Sequence, residues 1–160
     1  MSGRHLPRYD GEAVSGAQLY PQSFSGASRP HSVAQRQPMA YSAYVIADAS
    51  RMAILDSFPP KFGDVICHHV TERFGLSAGD RQLPPPAEIL IVGYACDASL
   101  EALVVTVDGN MRRPDGGTYH ITLSLERALG RKPVDANRVI ATVGWNPVTV
   151  LRVDAVPSIC

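Results

Sequence analysis

The sequence predicts an α+β domain built on antiparallel sheet, and three observations carry that prediction. Residues Thr118 to Leu125 alternate polar and apolar for eight positions, the signature of a strand with two different faces. Six stretches in all read as strands, against only two short ones with helical spacing. Two of the strands are separated by Asp97-Ala98-Ser99 alone, a connection that suits an antiparallel hairpin. Strands in such excess over short helices place the chain in the α+β class.

The elements follow in order. Residues 1 to 40 are rich in Ser, Gly, Pro, Gln and Arg with apolar residues at no period, so they are expected to form a disordered tail. The tail is mildly basic, with Arg4, Arg8, Arg29 and Arg36 against Asp10 and Glu12, and its His5 and His31 receive no role. A single domain is expected over 41 to 160, since a chain of 160 residues is too short for two of ordinary size. Tyr41 to Ala47 reads as its first strand, ending at Asp48. Asp48 looks like the cap of a helix from Ala49 to Phe58, which Pro59-Pro60 stops. Gly63-Asp64 turns the chain into a strand from Val65 to Thr71, and residues 76 to 86 are broken by Gly79 and Pro84-Pro85-Pro86 into a loop. The hairpin strands run from Glu88 to Cys96 and from Leu100 to Val107. A basic, glycine-rich turn over 111 to 117 then feeds the Thr118 to Leu125 strand. A helix is expected from Pro133 to Ala141, a turn at Trp145-Asn146-Pro147, and a last strand from Val148 to Val156.

Composition limits the function classes. Fifteen Lys and Arg balance fifteen Asp and Glu, so no global field holds a long duplex nonspecifically, while a small anionic ligand is compatible. The three cysteines, Cys67, Cys96 and Cys160, are odd in number and at no metal-like spacing. With no secretory-like apolar stretch at the N-terminus and no run near the roughly 20 apolar residues of a membrane span, a cytoplasmic protein without membrane association is expected.

The chemistry lies in a repeated pairing. In the Thr118 strand, Tyr119, Ile121, Leu123 and Leu125 share an apolar face, and Thr118, His120, Thr122 and Ser124 share the polar one. His120 and Thr122 are therefore neighbours. In the Val65 strand, His69 and Thr71 stand in the same relation, 51 residues upstream. Phosphodiester hydrolysis removes a proton from the attacking oxygen and delivers one to the leaving oxygen. Imidazole, with a free pKa of about 6.5, serves either role near neutral pH. Hydroxyls two residues along each strand can donate to phosphate oxygens that gain charge in the transition state, the role expected of Thr71 and Thr122. The alternative is a pair of structural histidines on a sheet surface.

These two triplets, His69-Val70-Thr71 and His120-Ile121-Thr122, resemble the paired H-x-[S/T] motifs of the 2H phosphoesterase superfamily. The likeness covers residues 41 to 156. Cys67-His-His-Val-Thr-Glu-Arg-Phe-Gly75 looks most like the "Swiss army knife" group associated with RNA repair. The resemblance implies a bilobed fold in which two antiparallel sheets flank a central cleft, each lobe supplying one motif. It implies metal-independent hydrolysis of 2',3'-cyclic phosphates, 2'-5' linkages or cyclic oligonucleotides, in RNA end processing or nucleotide-signal breakdown. His69, Thr71, His120 and Thr122 would be the catalytic residues, no cofactor or metal would be needed, and the partner would be RNA or a nucleotide. Glu72 departs from the pattern, since Leu123 follows the second motif. A noncatalytic nucleotide- or RNA-binding module on the same fold is the alternative.

Other residues are weighed beside the motifs. Arg73, Arg112 and Arg113 are candidate phosphate clamps, with solvated turn residues as the alternative. Tyr44, with Tyr41, is a candidate base-stacking residue, against core packing. His68 is expected on the opposite face from His69, with Ile66 and Val70. Adjacent strand residues diverge, which also argues against a metal held by Cys67, His68 and His69. Cys67 is read as a cleft thiol or a small buried residue. Trp145 is a further candidate for capping the cleft. Gly116-Gly117 lacks the lysine and following helix of a phosphate loop.

Overall fold

A computed structural model describes residues 39–160; the expected tail, with His5 and His31, lies outside the described residues up to residue 38. The class is as the sequence predicts, a curled antiparallel sheet with a few short helices. The strands are β1 (Ala40–Ile46), β2 (Asp64–Val65), β3 (His69–Leu76), β4 (Ile89–Cys96), β5 (Leu100–Val107), β6 (His120–Leu125), β7 (Asn146–Val153) and β8 (Ala155–Ile159). Helix α1 spans Asp48–Ser57 and α2 spans Ala136–Val143.

In place of the two sheets expected, the strands form one, in the order β7-β4-β5-β6-β3-β1-β8 with β2 added alongside β6. The reason is local. β3 and β6 meet through a single register pair, Val70 with Ile121, and that pair joins five strands on one side, β2 included, to three on the other. The two edge strands, β7 and β8, are consecutive in the chain with only Asp154 between them. One residue spans only about 3.5 Å, so the sheet curls until its edges meet. Asp154 is held there by its N–H to Ser50 Oγ (2.8 Å) and by its carbonyl, which accepts from the Ala47 N–H (2.9 Å). The single last strand expected from Val148 to Val156 is thus two strands serving opposite edges.

The expected Val65 to Thr71 strand is also two. Val65 pairs with Ser124 and Val70 with Ile121, so five steps along the first chain match three along β6. Two residues are extruded, and Cys67 takes a left-handed φ of 39° to allow it. The cost of that conformation for a residue with a Cβ is met by hydrogen bonds: the Cys67 N–H to the Thr122 carbonyl (2.9 Å), and Arg51 Nε to the Cys67 carbonyl (3.1 Å).

β5 reads as a nearly unbroken apolar run because both of its faces are covered. Leu103, Val105 and Val107 pack inside the curl with Ile54, Val70, Ile89, Ile91, Ile121 and Leu123, while Ala102 and Val104 lie beneath Val139 and Ile140 of α2. A register shift between Glu101 and Ala102 reverses the parity of β6 at its end. Leu125 consequently joins the α2 cluster. Ser124, expected on the His120 face, is instead buried and donates to the Glu101 carboxylate. Glu101 also accepts from Tyr94 Oη (2.7 Å) and the Lys61 N–H (2.8 Å), so its burial is compensated.

The helices start later or differently than expected. Ala47, not Asp48, caps α1, and Asp48 lies in the first turn, where its charge favours the positive end of the helix. Only Ile54 of α1 is buried, and Met52 faces out. Pro133 begins a 3-10 turn, Pro133–Asp135, and α2 follows at Ala136.

Candidate functional site

Both H-x-T triplets flank the seam. Val70 and Ile121 are antiparallel partners, so the two triplets meet at their middle residues. The side chains of all four line one cavity of about 430 Å³, a size suited to a small ligand. Val70 and Ile121, pointing the other way, are fully buried in the core, so the alternation read from sequence aims the polar pairs. Pro133, Val134 and Asn137, together with Arg113, Tyr41, Phe74 and Ile66, complete the lining.

The two histidines differ in how they are held. His120 Nδ1 lies 2.8 Å from the Thr118 carbonyl, and a carbonyl only accepts, so Nδ1 carries the proton and the neutral ring presents an unprotonated Nε2. Burial lowers the pKa of His120 below its ordinary value; the Thr118 bond and Asp115 oppose this and the Arg113 charge reinforces it. His69 Nδ1 instead lies 3.0 Å from His68 Nδ1. Burial, then the charges of His68 and His120, push His69 from 6.5 down to about 4. Both rings are therefore neutral at pH 7.

The hydroxyls differ as well. Thr71 makes no side-chain hydrogen bond among the described residues, while Thr122 Oγ1 donates to the Pro133 carbonyl at 3.3 Å. That is long for a hydroxyl donor. An anionic oxygen in the cavity would compete for it readily.

Of the candidate phosphate clamps, Arg113 alone lines the cavity. Its Nε and Nη2 bind Asp115 at 2.9 and 3.0 Å, leaving Nη1 without a hydrogen bond among the described residues. Burial raises the Asp115 pKa, but Arg113 and the Gly117 N–H outweigh it and hold the carboxyl below its usual range. Gly117 is needed for this packing, since a Cβ there would lie 2.6 Å from Arg113 Nη2. Arg112 is exposed and meets Thr118 through the backbone. Arg73 is exposed too and reaches toward Asp80 at 3.9 Å. Neither touches the cavity, so the solvated alternative fits both.

Tyr44 is not a stacking residue. Bulges between Ala40 and Ala43 set the parity of β1, and Tyr44 is buried with its hydroxyl donating to the Pro85 carbonyl at 3.0 Å. Burial pushes its pKa up to about 12. Tyr41 occupies the rim instead, 5.2 Å from the His69 ring and stacked on Phe74 at 5.7 Å.

Three other expectations change. His68 is exposed rather than packed behind the sheet, because the extrusion at Cys67 turns it outward beside His69. Cys67 is fully buried in the core, where burial raises its thiol to about 11 against the pull of Arg51. Trp145 lies over Gly93 of β4 and against the α2 cluster, not over the cavity.

Sequence reasoning missed Asn137 and Phe74. Asn137 Oδ1 accepts the Thr118 N–H at 3.3 Å and so steadies the residue whose carbonyl orients His120. Nothing in the local pattern near Pro133 distinguishes it. Among the described residues no group of three or more His, Cys, Asp or Glu is placed to hold a metal ion, and no helix is long and apolar enough to cross a membrane. No protein-family model, curated protein or solved structure matches this chain.

Proposed function

We propose that this chain is a metal-independent phosphodiesterase of the 2H type, acting on 2',3'-cyclic phosphates, 2'-5' linkages or cyclic oligonucleotides in RNA end processing or nucleotide-signal breakdown. The observation that carries the reading is the placement of two imidazoles and two threonines around one cavity, on either side of the β3–β6 seam. Its narrow seam between five strands and three is compatible with the bilobed arrangement that the motifs suggest.

The roles follow from the hydrogen bonds. His120, with Nδ1–H held by a carbonyl, accepts the proton of the attacking water at Nε2. His69, across the seam, supplies the proton to the leaving oxygen. Thr71 and Thr122 donate to the nonbridging oxygens, Thr122 by giving up its long bond to Pro133. Arg113 offers Nη1 to the phosphate, and the Tyr41–Phe74 pair gives a flat wall for a base.

A second reading has its own support. With both histidines neutral, the cavity holds no ready imidazolium acid, as suits a noncatalytic nucleotide- or RNA-binding module. Incubation with 2',3'-cyclic nucleotides, cyclic dinucleotides and 2'-5' oligomers in a chelator separates the two. Turnover of one class supports the enzyme; saturable binding with no product supports the binding module.

A further inference from the structure

We propose that His68 is a positioning residue that fixes the tautomer of His69 and replaces the proton His69 gives up, an inference that rests on the phosphodiesterase reading of the cavity. The two Nδ1 atoms lie 3.0 Å apart with the rings nearly perpendicular, at 81°. A hydrogen bond between two like nitrogens needs a proton on one and a lone pair on the other. His120 has no such freedom, since a carbonyl fixes its Nδ1 as donor. His68 can donate, and when it does, the neutral His69 ring carries its proton on Nε2, at the cavity edge. The carbonyl partner thus makes His120 the base, and the histidine partner makes His69 the acid.

The backbone around His68 serves this arrangement. The left-handed turn at Cys67 extrudes two residues from the β2–β3 register and brings neighbouring side chains, which diverge in a regular strand, into contact. The His68 carbonyl accepts the Ile46 N–H at 2.9 Å, which anchors the extruded peptide to β1. The groups facing the pair are His120 from β6, the Tyr41 ring from β1, and Arg51 of α1, which binds the adjacent Cys67 carbonyl. No carboxylate among the described residues bonds either ring. His68 is exposed and exchanges protons with water, while His69 is half-buried at the cavity.

The proton inventory closes. Water attacks phosphorus and gives a proton to His120 Nε2. The bond from phosphorus to the leaving oxygen breaks, and that oxygen takes the His69 Nε2 proton. His69 Nδ1 takes the proton of a protonated His68, so His69 remains neutral throughout. His120 ends as imidazolium, His68 as imidazole and His69 with its proton on Nδ1; the cycle is restored when His120 gives its proton to water, water protonates His69 Nε2, and His69 Nδ1 returns its proton to His68.

The test combines nitrogen-15 NMR of histidine-labelled full-length protein with kinetics on a 2',3'-cyclic nucleotide. Neutral His69 is expected as the Nε2–H tautomer in the wild type and as a mixture in His68→Ala. His68→Asn places an amide N–H near the Nδ1 position but cannot release a proton, so it should keep the tautomer yet lower kcat about tenfold or more, with KM little changed. The alkaline limb of the pH profile should disappear in His68→Asn, and added imidazole should restore His68→Ala. Wild-type kcat and an unchanged alkaline limb in both variants, or an Nδ1–H tautomer of His69 in the wild type, would overturn the proposal. Absence of turnover in the wild type defeats the phosphodiesterase reading instead, and the tautomer comparison still decides the role of His68.

Discussion

Val70 and Ile121, the middle residues of the two H-x-T triplets, are register partners, and theirs is the single pair joining β3 to β6. Each is fully buried. The contact that unites the two parts of the sheet is therefore the contact that sets the spacing of the four polar side chains around the cavity, and stability and site geometry share it.

Truncation at this point should affect both. Ile121→Ala is expected to cost about 2 to 5 kcal/mol, as for a fully buried aliphatic residue, and to reduce activity at temperatures where the variant remains folded. Urea denaturation checks the first part. A loss below about 1 kcal/mol would show that the seam relaxes around the cavity left behind.

The low pKa of His69 makes a prediction about acid stability. An unfolded histidine binds protons near 6.5, whereas folded His69 does so only near 4. The unfolded state therefore takes up more protons, and stability should fall as pH drops through that window. His69→Gln should flatten this dependence between pH 6.5 and 4. An identical pH slope in the variant would mean that His69 is not held neutral.

Arg113 and Asp115 should behave as a unit. Arg113→Met is expected to raise KM for a phosphodiester by about tenfold or more through loss of a charge-assisted contact. Asp115→Asn should weaken the positioning of Arg113 without removing its charge, and so give a smaller rise. Equal KM values in wild type and Arg113→Met would place the substrate away from this side of the cavity.

Gly93 offers a check on the fold distant from the site. A Cβ there would lie 2.2 Å from Trp145 Cε3, and the ring is packed beside α2. Gly93→Ala should destabilise by about 1 to 3 kcal/mol, as overpacking does, and lower the thermal midpoint while KM stays near the wild-type value.

Much of this was legible in the sequence because it rests on short-range alternation. The period-two pattern of Thr118 to Leu123 placed Ile121 and Leu123 in the core and aimed His120 and Thr122 away from it. What stayed hidden depends on where pairing slips. The two-residue extrusion at Cys67 moved His68 beside His69, the shift at Glu101 turned Ser124 inward, and bulges in β1 buried Tyr44 while leaving Tyr41 at the cavity. Each is fixed by a partner strand remote in sequence. Nor did Val148 to Val156 reveal its division at Asp154, since β7 and β8 are both strand-like and only the curl of the sheet separates their partners. Asn137 acts through Thr118, a contact that exists only once α2 has packed.

The most direct measurement is hydrolysis of 2',3'-cyclic nucleotides in excess chelator by the wild type, His69→Ala and His120→Ala, with circular dichroism confirming that each is folded. The account predicts metal-independent turnover by the wild type and a loss of about 100-fold or more in either variant. Turnover that survives both substitutions, or a folded wild type that binds these nucleotides and releases no product, would contradict it.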